Sequence, residues 1–239
     1  MIVTVIGRGH SGTRAIAETL IKSGVYMGRV NRSADMVPPG AMYAAARMCG
    51  SRSWWQGGDK WTFQELVGME EPPKRFRRLL LTYLGPLYQH DSDGDVGWKL
   101  PETLLTLPWL VKVMPDVHYI YWVRHPWDVI LRQHVMDDLA RWNVQSWPVA
   151  DIITNRALSW KYQYDLVKAT PKPKRWLQVR LEDYVLEQEK TLERLEGFLG
   201  IPLARLPVKY DAVGRWKRSG IVDWPPFLEE PMRELGYIK

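Results

Sequence analysis

The chain has 239 residues, 46% hydrophobic and 25% charged, with 33 Lys and Arg against 27 Asp and Glu for a net charge of +6. That is enough apolar chain for one substantial globular core, while 18 Gly and 17 Pro are too few for a collagen-like or low-complexity protein. No apolar run approaches the roughly 18 residues of a membrane span, and the single cysteine, Cys49, excludes a disulfide framework and a cysteine-rich metal site. The surplus of cations points to an anionic partner without naming it.

Ile2-Val3-Thr4-Val5-Ile6 is a short run rich in β-branched residues and reads as a buried strand. Residues 7–13 form a loop with three glycines. Thr13 to Lys22 then carries Ile16, Leu20 and Ile21 at helical spacing, with Gly24 placed to end the helix. Val25-Tyr26-Met27 reads as the start of a second strand. Residues 28–60 lack periodicity and predict a long loop with one short helix over 41–48. A helix is expected over 73–88, a polar turn over 91–95, a strand over 96–100 and a helix over 103–113. His118 to Val123 is a further buried strand, after which Pro126 opens a helix reaching about residue 142. A helix over 149–168, a strand over 175–179 and a helix over 182–199 follow. Residues 203–239 read as irregular, with a short helix near 227–235. Strands alternating with helices predict one α/β domain over 1–239, its central sheet mostly parallel and flanked by helices.

Strand, glycine loop and helix in direct succession present backbone N–H groups and a helix N-terminus to an anion. Gly7 and Gly12 have the G-x-x-x-x-G spacing of a nucleotide P-loop, whose next residues are Lys and then Ser or Thr. Here they are Thr13 and Arg14. Without that Lys and the magnesium-holding hydroxyl, ordinary ATP or GTP phosphoryl transfer is disfavoured. A ligand-free turn is the plain alternative, against which stand three Gly, a Ser, a Thr and two Arg within eight residues. Arg124, at the C-terminal end of a strand, falls where α/β folds open their ligand crevice, and a guanidinium fork suits a phosphate.

Gly7-Arg8-Gly9-His10-Ser11-Gly12-Thr13-Arg14 resembles the 5′-phosphosulfate loop of the sulfotransferases that use 3′-phosphoadenosine 5′-phosphosulfate (PAPS), in the form seen in glycosaminoglycan sulfotransferases. Three later segments keep the family's order. Arg124-His125-Pro126-Trp127-Asp128 is similar to its 3′-phosphate motif, R-x-P-x-[DE]; the Ser placed eight positions after that Arg is Arg132 here. Arg180-Leu181-Glu182-Asp183-Tyr184, with a helix closing in Phe198-Leu199-Gly200-Ile201-Pro202, resembles R-Y-E-D-L and its following helix. Val213-Gly214-Arg215-Trp216-Lys217 resembles the late G-x-W-K segment. The likeness covers residues 2 to about 220. It implies a P-loop NTPase-like sulfotransferase fold, PAPS as donor, adenosine 3′,5′-bisphosphate as product and no metal. The implied donor contacts are Arg8, Gly9, His10, Ser11, Gly12, Thr13, Arg14, Arg124, Arg132, Arg180, Arg215, Trp216 and Lys217. It also implies that 203–239 closes over the donor and that 28–72 binds the acceptor or forms a lid.

Sulfuryl transfer needs an acceptor in line with the breaking S–O bond, a base for its proton and cations around the departing phosphate. Glu18 is the first candidate base: counting Gly7 as one it stands twelfth, the position of the catalytic Glu in the glycosaminoglycan 3-O-sulfotransferases. Arg14, four residues earlier on the same helix face, is placed to pair with it. His10 stands where many members have a Lys on the leaving group, and either donates there or serves as the base. Lys99, in Trp98-Lys99-Leu100-Pro101, resembles the K-x-P segment that carries another active-site Lys. Asp35, Asp59 and His134 are less specific candidates, and Trp54, Trp55 and Trp61 either stack on acceptor or pack a lid.

The rival readings are a P-loop small-molecule kinase, which the missing Lys disfavours, and a basic nucleic-acid-binding module, which leaves the ordered motifs unexplained. No nucleic-acid partner is expected. The acceptor is a carbohydrate or another small molecule, and a strand beginning at residue 2 points to a cytoplasmic enzyme.

Overall fold

Every predicted strand but one finds a partner in a single parallel sheet. The computed structural model describes residues 1–90, 94–146, 151–220 and 225–238. In chain order it contains β1 (Ile2–Ile6), α1 (Thr13–Lys22), α2 (Gly40–Gly50), β2 (Trp54–Gly57), β3 (Lys60–Thr62), α3 (Gln64–Gly68) and α4 (Lys74–Tyr88). Then come β4 (Val96–Lys99), α5 (Leu107–Val113), β5 (His118–Val123), α6 (Pro126–Ile130), α7 (Ile152–Ala169), β6 (Trp176–Arg180), α8 (Leu181–Leu186), α9 (Gln188–Leu199) and α10 (Glu229–Glu234). The sheet order is β4-β1-β5-β6, all neighbours parallel. Because parallel strands require crossovers, their C-terminal ends share one edge. Lys99, the glycine loop, Arg124 and Arg180 therefore leave the sheet side by side.

Alternation along the strands divides the core in two. Val3, Val5, Ile120, Trp122 and Val179 face α1, α8 and α9. Trp98, Tyr119, Tyr121 and Val123 face α2, α4, α5 and α7, a layer that also buries Trp109 and Trp142. Much of the unusual Trp content is thus core. Among the described residues no helix is long and apolar enough to cross a membrane.

Several expected boundaries move. Val25-Tyr26-Met27 makes only an isolated bridge, Tyr26 to Val96. The irregular 28–60 stretch contains a longer helix than expected, α2, and most of the antiparallel hairpin β2–β3. The helix expected over 103–113 begins as a 3-10 turn over Pro101–Thr106, and Glu187 leaves helical geometry to divide α8 from α9. Of the expected polar turn, Asp91, Ser92 and Asp93 lie outside the described residues, as do 149 and 150 of the helix expected over 149–168, whose described part opens on an Asp151 cap.

The largest departure follows Pro126, where the helix stops at Ile130 rather than near 142. Asp137 explains it. Its carboxylate pairs with the buried Arg8 guanidinium, lies 3.7 Å from Arg156 and accepts the backbone N–H of His134 at 2.7 Å. His134 in turn adopts an extended backbone and its Nδ1 accepts from Met136 N–H, forming a capping box around a single 3-10 turn. Placing a counter-charge under Arg8 outweighs continuing the α6 ladder. Burial pushes the Arg8 pKa down to about 10, and Asp137 opposes that fall, so the guanidinium stays charged. Removing its partner strands that charge. Asp137→Asn is expected to cost about 3–5 kcal/mol of unfolding free energy in urea titration; a loss under about 1 kcal/mol would show that the pair does not direct this segment.

Candidate active site

The start of α1 stands at the sheet edge with no side-chain cap from the described residues, Ala15 N–H alone of its first turn donating to the Gly12 carbonyl at 3.0 Å. Gly12 is the N-cap residue, in left-handed conformation at φ 82°, and offers no side chain to accept from the first turn. The loop before it is held from below, since Trp122 Nε1 donates to the Ser11 carbonyl at 3.0 Å. It is held from the side by Arg124, whose Nη1 donates to the His10 carbonyl at 2.9 Å. Gly9 is required by close approach: a Cβ there would lie 2.3 Å from the His134 ring. His10 itself sits at φ 66°, an unfavourable region for a residue with a side chain, and its Nε2 donates to the Gln133 carbonyl at 2.8 Å.

These groups border a cleft of about 650 Å³. Six cations line it, Arg14, Lys99, Arg124, Arg132, Lys209 and Arg215, against two carboxylates, Glu18 and Asp35. Both carboxylates are paired, Glu18 with Arg14 Nε at 2.7 Å and Asp35 with the Lys99 ammonium. The Lys99 ammonium also donates to the Ser33 carbonyl at 2.5 Å, which leaves one of its three donors for the cleft. Burial lowers its pKa from the ordinary lysine value, and Asp35 opposes that fall. Leu181, Tyr184, Val185, Leu206, Pro207 and Val208 complete the lining with a mainly apolar wall. Histidines face the cleft in neutral form. Burial pushes His134 down to about 3 and lowers His10 below the usual imidazole value, with Arg8 and Arg132 adding to the effect on His10.

Of the donor contacts and first catalytic candidates expected from sequence, Gly9, His10, Gly12, Thr13, Arg14, Glu18, Lys99, Arg124, Arg132 and Arg215 come together at this cleft, as do the less specific candidates Asp35 and His134. Five do not line it. Arg8 turns inward to Asp137. Ser11 is buried beneath the loop. Arg180 is held by Asp183, by the Gly236 carbonyl at 3.0 Å and by the Tyr237 ring. Trp216 stacks on His125 with ring centres 4.9 Å apart. Lys217 is exposed, its ammonium 5.8 Å from the Trp216 ring. The 28–72 stretch reaches the cleft only through Ser33 and Asp35. Trp61 packs on Tyr162 and donates to the Gln145 carbonyl, Trp54 is half exposed, and Trp55 borders a separate hollow beside 143–146. Asp59 pairs with Lys161 at 4.0 Å.

One organising residue had no role in the sequence reading. The buried Asp128 carboxylate lies 3.2 Å from Arg124 and accepts the backbone N–H groups of Gly214 at 2.9 Å and Trp216 at 2.8 Å. Arg124 adds a hydrogen bond to the Ala212 carbonyl. The R-x-P-x-D and G-x-W-K segments are thus two halves of one junction, which holds 212–216 beside the glycine loop. Lys209 also lines the cleft, and no local motif marks it; Tyr184, the last residue of the Arg180–Tyr184 motif, lines it too, with no role expected of it. Asp128→Asn should leave strand amides protected while hydrogen exchange at Gly214 and Trp216 quickens about tenfold or more, since bonds to a charged acceptor contribute about 1.5–3 kcal/mol. Unchanged exchange at both amides would remove Asp128 from this role.

The model of the Sulfotransferase family matches residues 3–205. Among curated proteins no match was found. Among solved structures, the sulfotransferase domain from the curacin biosynthetic pathway aligns over 99% of this chain and 98% of its own at 16% identity and a TM-score of 0.60. The sulfotransferase domain of the Synechococcus PCC 7002 olefin synthase aligns over 98% and 93% at 14% identity and 0.56. At such identities the structural likeness speaks for the fold, with which the parallel sheet agrees. The chain belongs to the sulfotransferase family.

Proposed function

We propose that the protein transfers the sulfuryl group of PAPS to a hydroxyl or amine of a small-molecule acceptor. One observation carries the donor assignment: a single cleft joins an uncapped helix N-terminus and a surplus of four cationic side chains to a wall that is mainly apolar. A nucleotide bearing two anionic groups fits such a donor set, because its phosphates want fixed positive groups and its purine wants a dry surface. Arg124 Nε, buried without a partner in the protein, adds an unsatisfied donor at the same place.

The residues divide the work by reach. Thr13 and Arg14 supply N–H groups at the start of α1. Arg132 and Lys209 are the cations left for a phosphate once Arg124 is committed to His10, Asp128 and Ala212, while Arg215 reaches the cleft with its Nε on the Asp211 carbonyl at 3.0 Å and its guanidinium 3.6 Å from the Asp211 carboxylate. Tyr184 and the segment 206–208 offer the surface for a base. When bound, the donor supplies an activated sulfuryl group whose leaving group is a phosphate. The free Lys99 donor and the helix N-terminus then balance the charge that moves onto that phosphate. Both structural neighbours come from enzymes named for a biosynthetic pathway or a synthase, which supports a small molecule as acceptor.

Calorimetric titration tests the donor. Adenosine 3′,5′-bisphosphate is expected to bind at micromolar Kd, AMP more weakly, and Arg132→Ala to weaken the bisphosphate about tenfold or more, the value of one charged contact. Indifference to adenosine 3′,5′-bisphosphate, AMP and ATP would overturn the assignment, and tight ATP binding that requires magnesium would replace it with a kinase.

A further inference from the structure

We propose that His10 is the base that takes the acceptor's proton, through Nδ1, and that Gln133 fixes the ring in the tautomer this requires. The inference rests on the sulfotransferase reading of the cleft.

A carbonyl oxygen can only accept, so the 2.8 Å contact between His10 Nε2 and the Gln133 carbonyl places the proton on Nε2. The lone pair of the neutral ring is then on Nδ1. That atom makes no hydrogen bond to any described residue, is not among the buried atoms left without a partner, and belongs to a ring lining the cleft. His134, 5.3 Å away and edge-on, is arranged the other way. Its Nδ1 already accepts from Met136 N–H at 3.2 Å, so its neutral ring has no lone pair to offer. The two cleft carboxylates already accept from cations, Glu18 from Arg14 and Asp35 from Lys99. Of the two imidazoles that line the cleft, His10 is therefore the one whose lone pair is unengaged, and Glu18, which keeps Oε2 unpaired, is the competing base that the test below compares with it.

The surroundings keep it so. Arg8 and Arg132 oppose a charge on the ring, Asp137 favours one, and neutral His134 packs against it; burial is the largest influence and holds the imidazole unprotonated at neutral pH. Arg124 grips the His10 carbonyl and Gln133 the ring, so the strained backbone at φ 66° is fixed from both ends. In the transfer, the acceptor oxygen forms its bond to sulfur as the bond from sulfur to the 5′-phosphate oxygen breaks. The bonding pair leaves with that phosphate, and the acceptor's O–H or N–H proton passes to Nδ1, giving an imidazolium that returns the proton to solvent.

Two measurements test this on the full chain. In ¹⁵N-labelled protein, with the His10 signals assigned by their loss in His10→Gln, the ring is expected as the Nε2–H tautomer, titrating with a midpoint below 6.5. A ring protonated on Nδ1, or cationic at pH 7, overturns the proposal. Turnover of PAPS with water as acceptor, followed by bisphosphate release, should fall about 10²–10⁴-fold in His10→Gln. Bisphosphate affinity should stay within roughly threefold. In wild type that turnover should decline as pH drops through the His10 midpoint, because only the neutral ring takes a proton. Equal turnover in His10→Gln, or a larger loss in Glu18→Gln, overturns it. If wild type fails to bind the bisphosphate at all, the donor assignment has failed, and the tautomer result stands apart from it.

Discussion

A guanidinium buried at the end of a parallel strand must spend its donors on whatever the fold brings within reach, and at Arg124 that need ties the site together. One nitrogen holds the His10 carbonyl, another the Ala212 carbonyl and the Asp128 carboxylate, and Asp128 extends the hold to the amides of Gly214 and Trp216. Four separate pieces of chain, the strand end, the glycine loop, α6 and the late segment, meet on two buried side chains. In water each contact would be weak. Out of water, leaving any of them unmade costs more than making it, which is why the arrangement is specific.

A second buried pair shapes the opposite wall. Arg8 points away from the cleft, and by drawing Asp137 beneath the loop it ends α6 early and turns 131–137 back over the glycines. That turn delivers His134 onto Gly9 and the Gln133 carbonyl onto His10. An unbroken helix from Pro126, the cheaper local structure, would have carried both residues away. The Gln133 carbonyl owes its place against His10 Nε2 to an ion pair that points away from the cleft.

The electrostatics of the cleft follow from convergence rather than from charged runs. Its cations come from α1, β4, the end of β5, the segment after α6 and the late segment, no two of them closer than six residues in sequence. The dense basic stretch Lys74-Arg75-Phe76-Arg77-Arg78 starts α4 and none of its residues lines the cleft, while of Arg215-Trp216-Lys217-Arg218 Arg215 alone does. Net charge therefore says nothing about where the cations of the cleft gather.

The sequence alone carried the strand–glycine loop–helix start, the alternation of strands and helices, and four motifs in order, because each depends on neighbours within a few residues: β-branched runs pair, glycines turn, periodic apolar positions face a core. From these the fold class and the family could be read; ten of the fifteen expected donor and catalytic residues line the cleft, among them the Arg14–Glu18 pair, whose partners are one helical turn apart. Tertiary structure decided which charged groups face the ligand and which serve the core. Arg8 and Arg14 stand six residues apart in the same motif, yet one is buried on Asp137, 129 residues away, and the other lines the cleft. Asp128, a motif residue with no visible task, became the fastening for Gly214 and Trp216. Such roles depend on what desolvation demands of a buried charge, and its partner is set by which distant segments the sheet edge brings together, a relation that no local spacing records.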